Sequence, residues 1–206
     1  MAETIDYFFT HSSPWAFLGH AAFLDLASRH GVAIRLRPVD LAMVFEASGG
    51  LPLNQRHAQR RAYRFVELQR WALKRGLPMN FKPKHFPVPA ALADCCAIVL
   101  ADRAGRPGGY CEQVMRAVWL DDKNIADEAV LAVILTVLGE DAAAVIAQAR
   151  GDEALAAYRN NEMLAIDLGV IGSPCYVWNG EPFWGQDRLD LLEDALISGR
   201  KPFKPL

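Results

Sequence analysis

The chain is short of thiols and of arrangements that would use them. It has only four cysteines in 206 residues, Cys95, Cys96, Cys111 and Cys175, and none forms a Cys-x-x-Cys pair. Dithiol exchange chemistry is therefore not encoded, and no histidine is spaced around the cysteines as zinc ligation needs. They read as reduced thiols, and a cytoplasmic location is the expectation. No uninterrupted run of about 18 apolar residues, the minimum for a membrane-spanning helix, is present. The longest candidate, residues 126–149, is broken by Glu128, Glu140 and Asp141. The opening Met1-Ala2-Glu3-Thr4-Ile5-Asp6 has neither a basic start nor an apolar stretch, so no signal peptide is expected. With 22 basic and 24 acidic side chains the net charge is −2, and no basic stripe marks a nucleic-acid or membrane-surface partner. There is no internal repeat and no low-complexity linker.

What is present is enough apolar material for a full core. The chain is 52% hydrophobic, with ten Phe and five Trp, which excludes general disorder. Ile5-Asp6-Tyr7-Phe8-Phe9-Thr10 reads as a strand. Ser13 before Pro14 then opens a helix, because serine can cap and proline at the first helical position loses no needed N–H. Gly31 suits its left-handed end, and Val32, Ile34 and Leu36 alternate into a second strand that stops at Pro38. Strand–helix–strand at this length predicts a right-handed parallel crossover. Residues 41–168 show helical periodicity and little strand, with one long helix expected over 54–75 and others over 91–103, 110–120, 127–138, 142–150 and 152–168. Asn179-Gly180 between two aromatic runs predicts a tight hairpin. Asp187 and Asp190 then look like the cap and acidic first turn of a final helix over 188–197. The assembled expectation is α/β: a thioredoxin-like mixed four-stranded sheet with a large all-helical insertion. Its two parts are a thioredoxin-like domain of residues 1–40 and 169–206 and an inserted helical domain of residues 41–168.

Chemistry in such a sheet gathers at the carboxyl ends of strands, beside helix N-termini. Two segments meet that description, His11-Ser12-Ser13-Pro14-Trp15-Ala16 and Gly172-Ser173-Pro174-Cys175. Thioredoxin-like folds keep a cis-proline just before a strand and beside the first helix's N-terminus, so the Ser173–Pro174 bond is expected to be cis and close to Ser13, which would turn the preceding backbone polar groups toward a ligand. Each residue also has a plainer reading. Ser13 can be an N-cap, a catalytic group, or both. His11 is two residues from Ser13, but no Ser, His and carboxylate order suggests a hydrolase. The row Arg56, Arg60, Arg61 and Arg64 is either a solvated helix face or includes one arginine that reaches a ligand carboxylate. Trp71 and Trp119 read as core.

These motifs carry a resemblance. Ser13-Pro14-Trp15-Ala16 stands where the DsbA family has its Cys-Pro-x-Cys motif, with both sulfurs absent. Further matching stretches are Asn54 after Leu51-Pro52, Glu67-Leu68-Gln69-Arg70-Trp71-Ala72 with Gly76-Leu77-Pro78 beyond, and residues 169–174. The last is Phe183-Trp184-Gly185-Gln186-Asp187-Arg188-Leu189. Together they resemble the serine-bearing branch of the DsbA superfamily: the glutathione-dependent 2-hydroxychromene-2-carboxylate isomerases and the kappa-class glutathione transferases. The resemblance runs essentially end to end. It implies glutathione as cofactor, with Ser13 hydrogen-bonding the glutathione sulfur. Ser173, before Pro174, would pair through its backbone with the cysteinyl unit. Gln186 and Asp187 would hold the γ-glutamyl end, and Asn54 and Trp184 would contact glutathione. The implied reaction interconverts 2-hydroxychromene-2-carboxylate and trans-o-hydroxybenzylidenepyruvate in aromatic hydrocarbon catabolism, and the implied assembly is a homodimer. Departures from the family lie at Thr10-His11, where relatives commonly carry an Asp, at Arg60 and Arg61, where a lysine near Tyr63 is usual, and at Ser173 itself. Arg60, Arg61 and Tyr63 are accordingly the expected contacts to a small aromatic carboxylate substrate. Two other outcomes fit the same motifs: a kappa-type transferase, and a redox-inactive thioredoxin-fold binding module or chaperone.

Overall fold

The computed structural model describes residues 4–101 and 107–205, without the side chains of residues 107 and 108. Four strands, β1 (Thr4–Phe9), β2 (Ala33–Pro38), β3 (Cys175–Trp178) and β4 (Glu181–Trp184), form one sheet in the order β2-β1-β3-β4. β1 pairs with β2 in parallel, and with β3 antiparallel; β3 and β4 are antiparallel. The parallel pair is joined through α1 (Pro14–Arg29). The hairpin turns at Asn179 and Gly180, whose φ angles of 52° and 80° are the two positive values that a type I′ turn requires. Pro182 lies on β4, an edge strand, where its missing N–H costs no ladder bond.

Between β2 and β3 the described chain is helical: α2 (Leu41–Ser48), α3 (Ala58–Arg75), α4 (Ala91–Ala101), α5 (Pro107–Trp119), α6 (Glu128–Val137), α7 (Ala142–Ala149) and α8 (Asp152–Asp167). α9 (Leu189–Ser198) closes the chain. The expected end of one helix at Arg103 lies outside the described residues. The helix expected over 54–75 is in fact two pieces: a 3-10 turn at Leu53–Gln55, and α3, which starts afresh where His57 Nδ1 accepts the Gln59 N–H at 3.3 Å. Arg56, with ψ of 144°, is extended and separates them. His57, with ψ of 143°, is extended too, and helical spacing of apolar residues does not register a break of two residues, which explains the difference. The final helix also differs. A 3-10 turn at Gln186–Arg188 precedes α9, and neither segment has a side-chain cap, so Asp187 is not the cap that its position suggested.

The two faces of the sheet separate by strand alternation. Ile5, Tyr7 and Phe9 point into the larger core with Phe23, Leu68, Cys96, Met115, Trp119 and Leu135, so the sheet and the helical segment share one continuous apolar interior. Tyr7 stacks on Phe9 and Tyr176, with centroids 4.5 and 5.3 Å apart, and tilts against Phe23 of α1 at 4.8 Å. Deleting one such ring typically costs about 3–5 kcal/mol. Phe8, Cys175 and Val177 face the other side, where Val44 of α2 and Ala165 of α8 cover them. No helix among the described residues is long and apolar enough to cross a membrane.

Candidate active site

The first corner is made where β1 gives way to α1. Ser13 has extended backbone angles and caps α1: its Oγ accepts the Ala16 N–H at 3.2 Å, and Pro14 occupies the first helical position. The Ser13 hydroxyl in turn donates to the Ser173 carbonyl at 3.2 Å. The Ser173–Pro174 bond is cis, as expected, and lies against Ser13. The loop is closed by the Ser13 N–H to Thr10 O at 3.0 Å and by the Thr10 N–H to Ser173 Oγ at 3.2 Å. The Ser173 side chain therefore ties the two corners together, a role beyond the backbone one that the sequence suggested. Ser13 is only 4% exposed, yet it lines a large cavity.

That cavity measures about 870 Å³. One side carries Ser12, Ser13, Gly172, Ser173, Trp184, Gln186 and Asp187. The Trp184 indole lies so close to Gly172 that a Cβ there would sit 2.5 Å from Nε1. Gln186 is buried, and α1 admits it at Gly19, where a Cβ would come within 2.5 Å of the Gln186 Cβ. Arg75, from the last turn of α3, donates to Gln186 Oε1 through Nε at 3.2 Å and Nη2 at 3.0 Å, and to its backbone carbonyl at 3.1 Å. With Oε1 so occupied, the amide orientation is fixed, and its Nε2 is a buried donor with no partner among the described residues. Asp187 is exposed, with its carboxylate 2.5 Å from Arg188 Nη1. Exposed pairs of this kind contribute little, so Asp187 remains exchangeable to a ligand cation.

The opposite side is apolar and basic. Leu41 and Phe45 of α2, with Phe86, meet Arg56, Arg60, Tyr63 and Arg64. Arg64 lies 5.5 Å from the Phe86 ring and 5.8 Å from Phe65, and no carboxylate pairs with it among the described residues. Burial, reinforced by the Arg56 charge, pushes its guanidinium down to about 10. Glu67 does not neutralise it, because its carboxylate is held at 2.5 Å by Arg70. Arg70 also donates to the Tyr63 hydroxyl at 3.4 Å. Tyr63 and Arg60 therefore reach the cavity, whereas Arg61 and Asn54 are exposed outside its lining; Asn54 is in the 3-10 turn next to the lining residue Leu53. Pro174 is buried behind Ser173. Trp71, expected in the core, forms part of the cavity wall, with Lys74 and Arg75 over its ring. Arg75 has no signal in the sequence, because nothing local ties residue 75 to residue 186.

None of the four cysteines serves this cavity. All are free and buried. Burial pushes Cys96 up to about 11 and Cys95 and Cys175 up to about 12, and raises Cys111 well above its ordinary value. Among the described residues no group of three or more His, Cys, Asp or Glu could hold a metal ion. The site can therefore offer a hydroxyl at a helix N-terminus, a buried amide donor and an unpaired cation, but no nucleophilic sulfur of its own.

Comparison with known proteins agrees with this geometry. Residues 4–197 match the DSBA-like thioredoxin domain. A 2-hydroxychromene-2-carboxylate isomerase of Sphingobium xenophagum is 30% identical over 199 residues, 96% of this chain and all of that protein. Another from Pseudomonas sp. strain C18 is 30% identical, covering 93% of this chain and 89% of that one. A solved 2-hydroxychromene-2-carboxylate isomerase superposes with a TM-score of 0.81 at 28% identity over 95% of both chains. The cytosolic disulfide reductase DsbM of Pseudomonas aeruginosa, solved with GSH, shares the fold at a TM-score of 0.68 and 18% identity, over 95% of this chain and 98% of that one. With full-length similarity and a cavity built on serine where a redox pair would need sulfur, the chain belongs to the DsbA-like thioredoxin family and, within it, to the 2-hydroxychromene-2-carboxylate isomerases.

Proposed function

We propose that this protein is a glutathione-dependent isomerase that interconverts 2-hydroxychromene-2-carboxylate and trans-o-hydroxybenzylidenepyruvate. The observation that carries the reading is the Ser13 hydroxyl, set at the N-terminus of α1 and facing a cavity that has an unpaired guanidinium on its other side. Glutathione, when bound, supplies a thiol nucleophile that can add reversibly to a conjugated carbon, so that a double bond becomes rotatable.

The residues present fit such a cofactor. The partnerless Nε2 of Gln186 is a donor suited to a carboxylate or amide oxygen. Asp187 suits an ammonium group, Ser173 and Pro174 provide backbone for a peptide unit, and Trp184 provides an apolar flank. Asn54 is the outermost proposed contact. The Ser13 hydroxyl can rotate from the Ser173 carbonyl toward a ligand sulfur, and the positive end of α1 favours the thiolate there. On the facing wall, Arg64 is the strongest carboxylate receptor, with Arg56, Arg60 and Tyr63 beside it, and Phe45 and Phe86 suit an aromatic ring. Arginine in a water-poor pocket is also suited to stabilising negative charge that develops on a substrate oxygen. The proposed setting is cytoplasmic aromatic catabolism, with the protein acting as a homodimer.

The test is turnover of the chromene carboxylate with glutathione far below the substrate concentration. The proposal expects many turnovers per glutathione with no loss of free thiol, and none without glutathione. Stoichiometric thiol loss would indicate a kappa-type transferase, and absence of both turnover and thiol loss would indicate a binding module.

A further inference from the structure

The β1–α1 corner hangs from a single buried carboxylate on another element. Asp94, in the first turn of α4, is fully buried and receives four donor contacts. They are the Thr10 hydroxyl at 2.9 Å and the Tyr158 hydroxyl at 3.1 Å on Oδ2, and the His11 N–H at 3.1 Å and His11 Nδ1 at 2.5 Å on Oδ1. Its acceptor capacity is filled. Three of the four donors belong to Thr10 and His11. His11 is itself fully buried between Phe9 and Tyr110, and its Nε2 has no partner among the described residues.

A buried carboxylate with one leftover imidazole nitrogen is a costly element for a core that apolar residues could fill. What it secures is position. Thr10 is the residue whose carbonyl receives the Ser13 N–H and whose N–H reaches Ser173 Oγ. Holding Thr10 thus fixes Ser13 through its backbone N–H and Ser173, whose carbonyl accepts the Ser13 hydroxyl. None of Thr10, His11, Asp94 and Tyr158 lines the cavity, so the network does not touch a ligand directly.

We infer that Asp94 is a positioning residue: through Thr10 and His11 it sets the Ser13 hydroxyl at the angle needed to face a bound sulfur. This rests on the assignment of Ser13 to the glutathione thiol. The most local perturbation is Thr10→Val, which removes one hydroxyl while keeping the Thr10 backbone bonds, and Thr10→Ser is its conservative rescue. Asp94→Asn is the stronger disruption, and Thr10→Val keeps the test intact if that variant does not fold. In each folded variant, glutathione affinity is measured by calorimetry. The bound thiol is titrated by thiolate absorbance, and kcat and KM are determined. Thr10→Val is expected to raise the apparent pKa of the bound thiol and to lower kcat roughly tenfold, with glutathione affinity within about twofold. Thr10→Ser is expected to restore the thiol titration and kcat to near the parent values. A variant that only melts earlier, with thiol titration and kcat unchanged, would reduce Asp94 to a structural brace and overturn the inference. Ser13→Ala, run alongside, separates the two levels. If it too leaves the thiol titration unchanged, the Ser13 assignment has failed; if it alone moves it, only the role of Asp94 has failed.

Discussion

The two walls of the cavity are built on opposite principles. At the β1–α1 corner the wall is built around buried, hydrogen-bonded groups: Ser13 accepts from Ala16 and donates to Ser173, Thr10 holds Ser173, and Arg75 fixes Gln186. Its polar groups are set before any ligand arrives, which suits a part of the reaction that is the same in every cycle. The wall made by α2 and α3 is looser. Arg56 and Arg64 pack on rings rather than on carboxylates, Tyr63 is 58% exposed, and only Arg64 is substantially desolvated. A cation left without a counter-charge beside apolar rings is matched to an anionic aromatic ligand. Under the proposed function, the first wall serves the cofactor chemistry and the second selects the substrate.

If that division is right, substitutions on the two walls should separate kcat from KM. The largest effect is expected from Ser13→Ala, which should lower kcat by about 100-fold or more, near 2.7 kcal/mol of transition-state stabilisation. Ser12→Ala should cost far less, because Ser12 lies before the capping position. Loss of the N-cap also destabilises by roughly 1 kcal/mol, so rates belong to the folded fraction shown by circular dichroism. Next, Arg64→Met should raise KM for the carboxylate substrate by about 10-fold or more, the scale of one charge-assisted hydrogen bond, with kcat changed much less. Equal effects of both variants on kcat and KM would dissolve the division.

Smaller effects test the absence of protein sulfur from the site. Burial raises all four thiols, so native protein at about pH 8 should resist iodoacetamide, and denatured protein should take up four equivalents. Rapid labelling that also abolishes activity would put a cysteine back into the chemistry. The smallest expected effect is remote from both walls. Arg29 and then His30 hold the Glu193 carboxylate down to about 2. A depressed carboxylate stabilises the fold above its unfolded pKa, and that contribution is lost as pH falls from about 4.5 toward about 2. The Tm gap between the parent and Glu193→Gln should therefore narrow across that window and stay constant above it.

Local chemistry made much of the molecule readable from sequence. Ser13-Pro14, Gly31 and Asn179-Gly180 announce their backbone states through capping and positive φ, and the structure has all of them. The short 3-10 turns and the extended Arg56 escaped because apolar spacing averages over such breaks. In the site, residues that share a motif were legible, as with Ser173 and Gln186. Those joined only by tertiary packing were not. Arg75 reaches Gln186 across 111 positions, and Asp94 reaches Thr10 across 84. Within the arginine row, sequence could not distinguish Arg64, which lines the cavity, from Arg61, which does not. Periodicity alone does not reveal the break at Arg56 and His57 that precedes α3.

Ser13 is proposed to hold the sulfur of bound glutathione as a thiolate. The most direct measurement is the thiolate absorbance of glutathione titrated from about pH 6 to about pH 10 in complex with the parent protein and with Ser13→Ala. In the parent the bound thiol is expected to ionise well below the free thiol's value near pH 9, and in Ser13→Ala its midpoint is expected to return toward that value. Matching titrations for the two proteins, with glutathione shown to be bound in both, would contradict it.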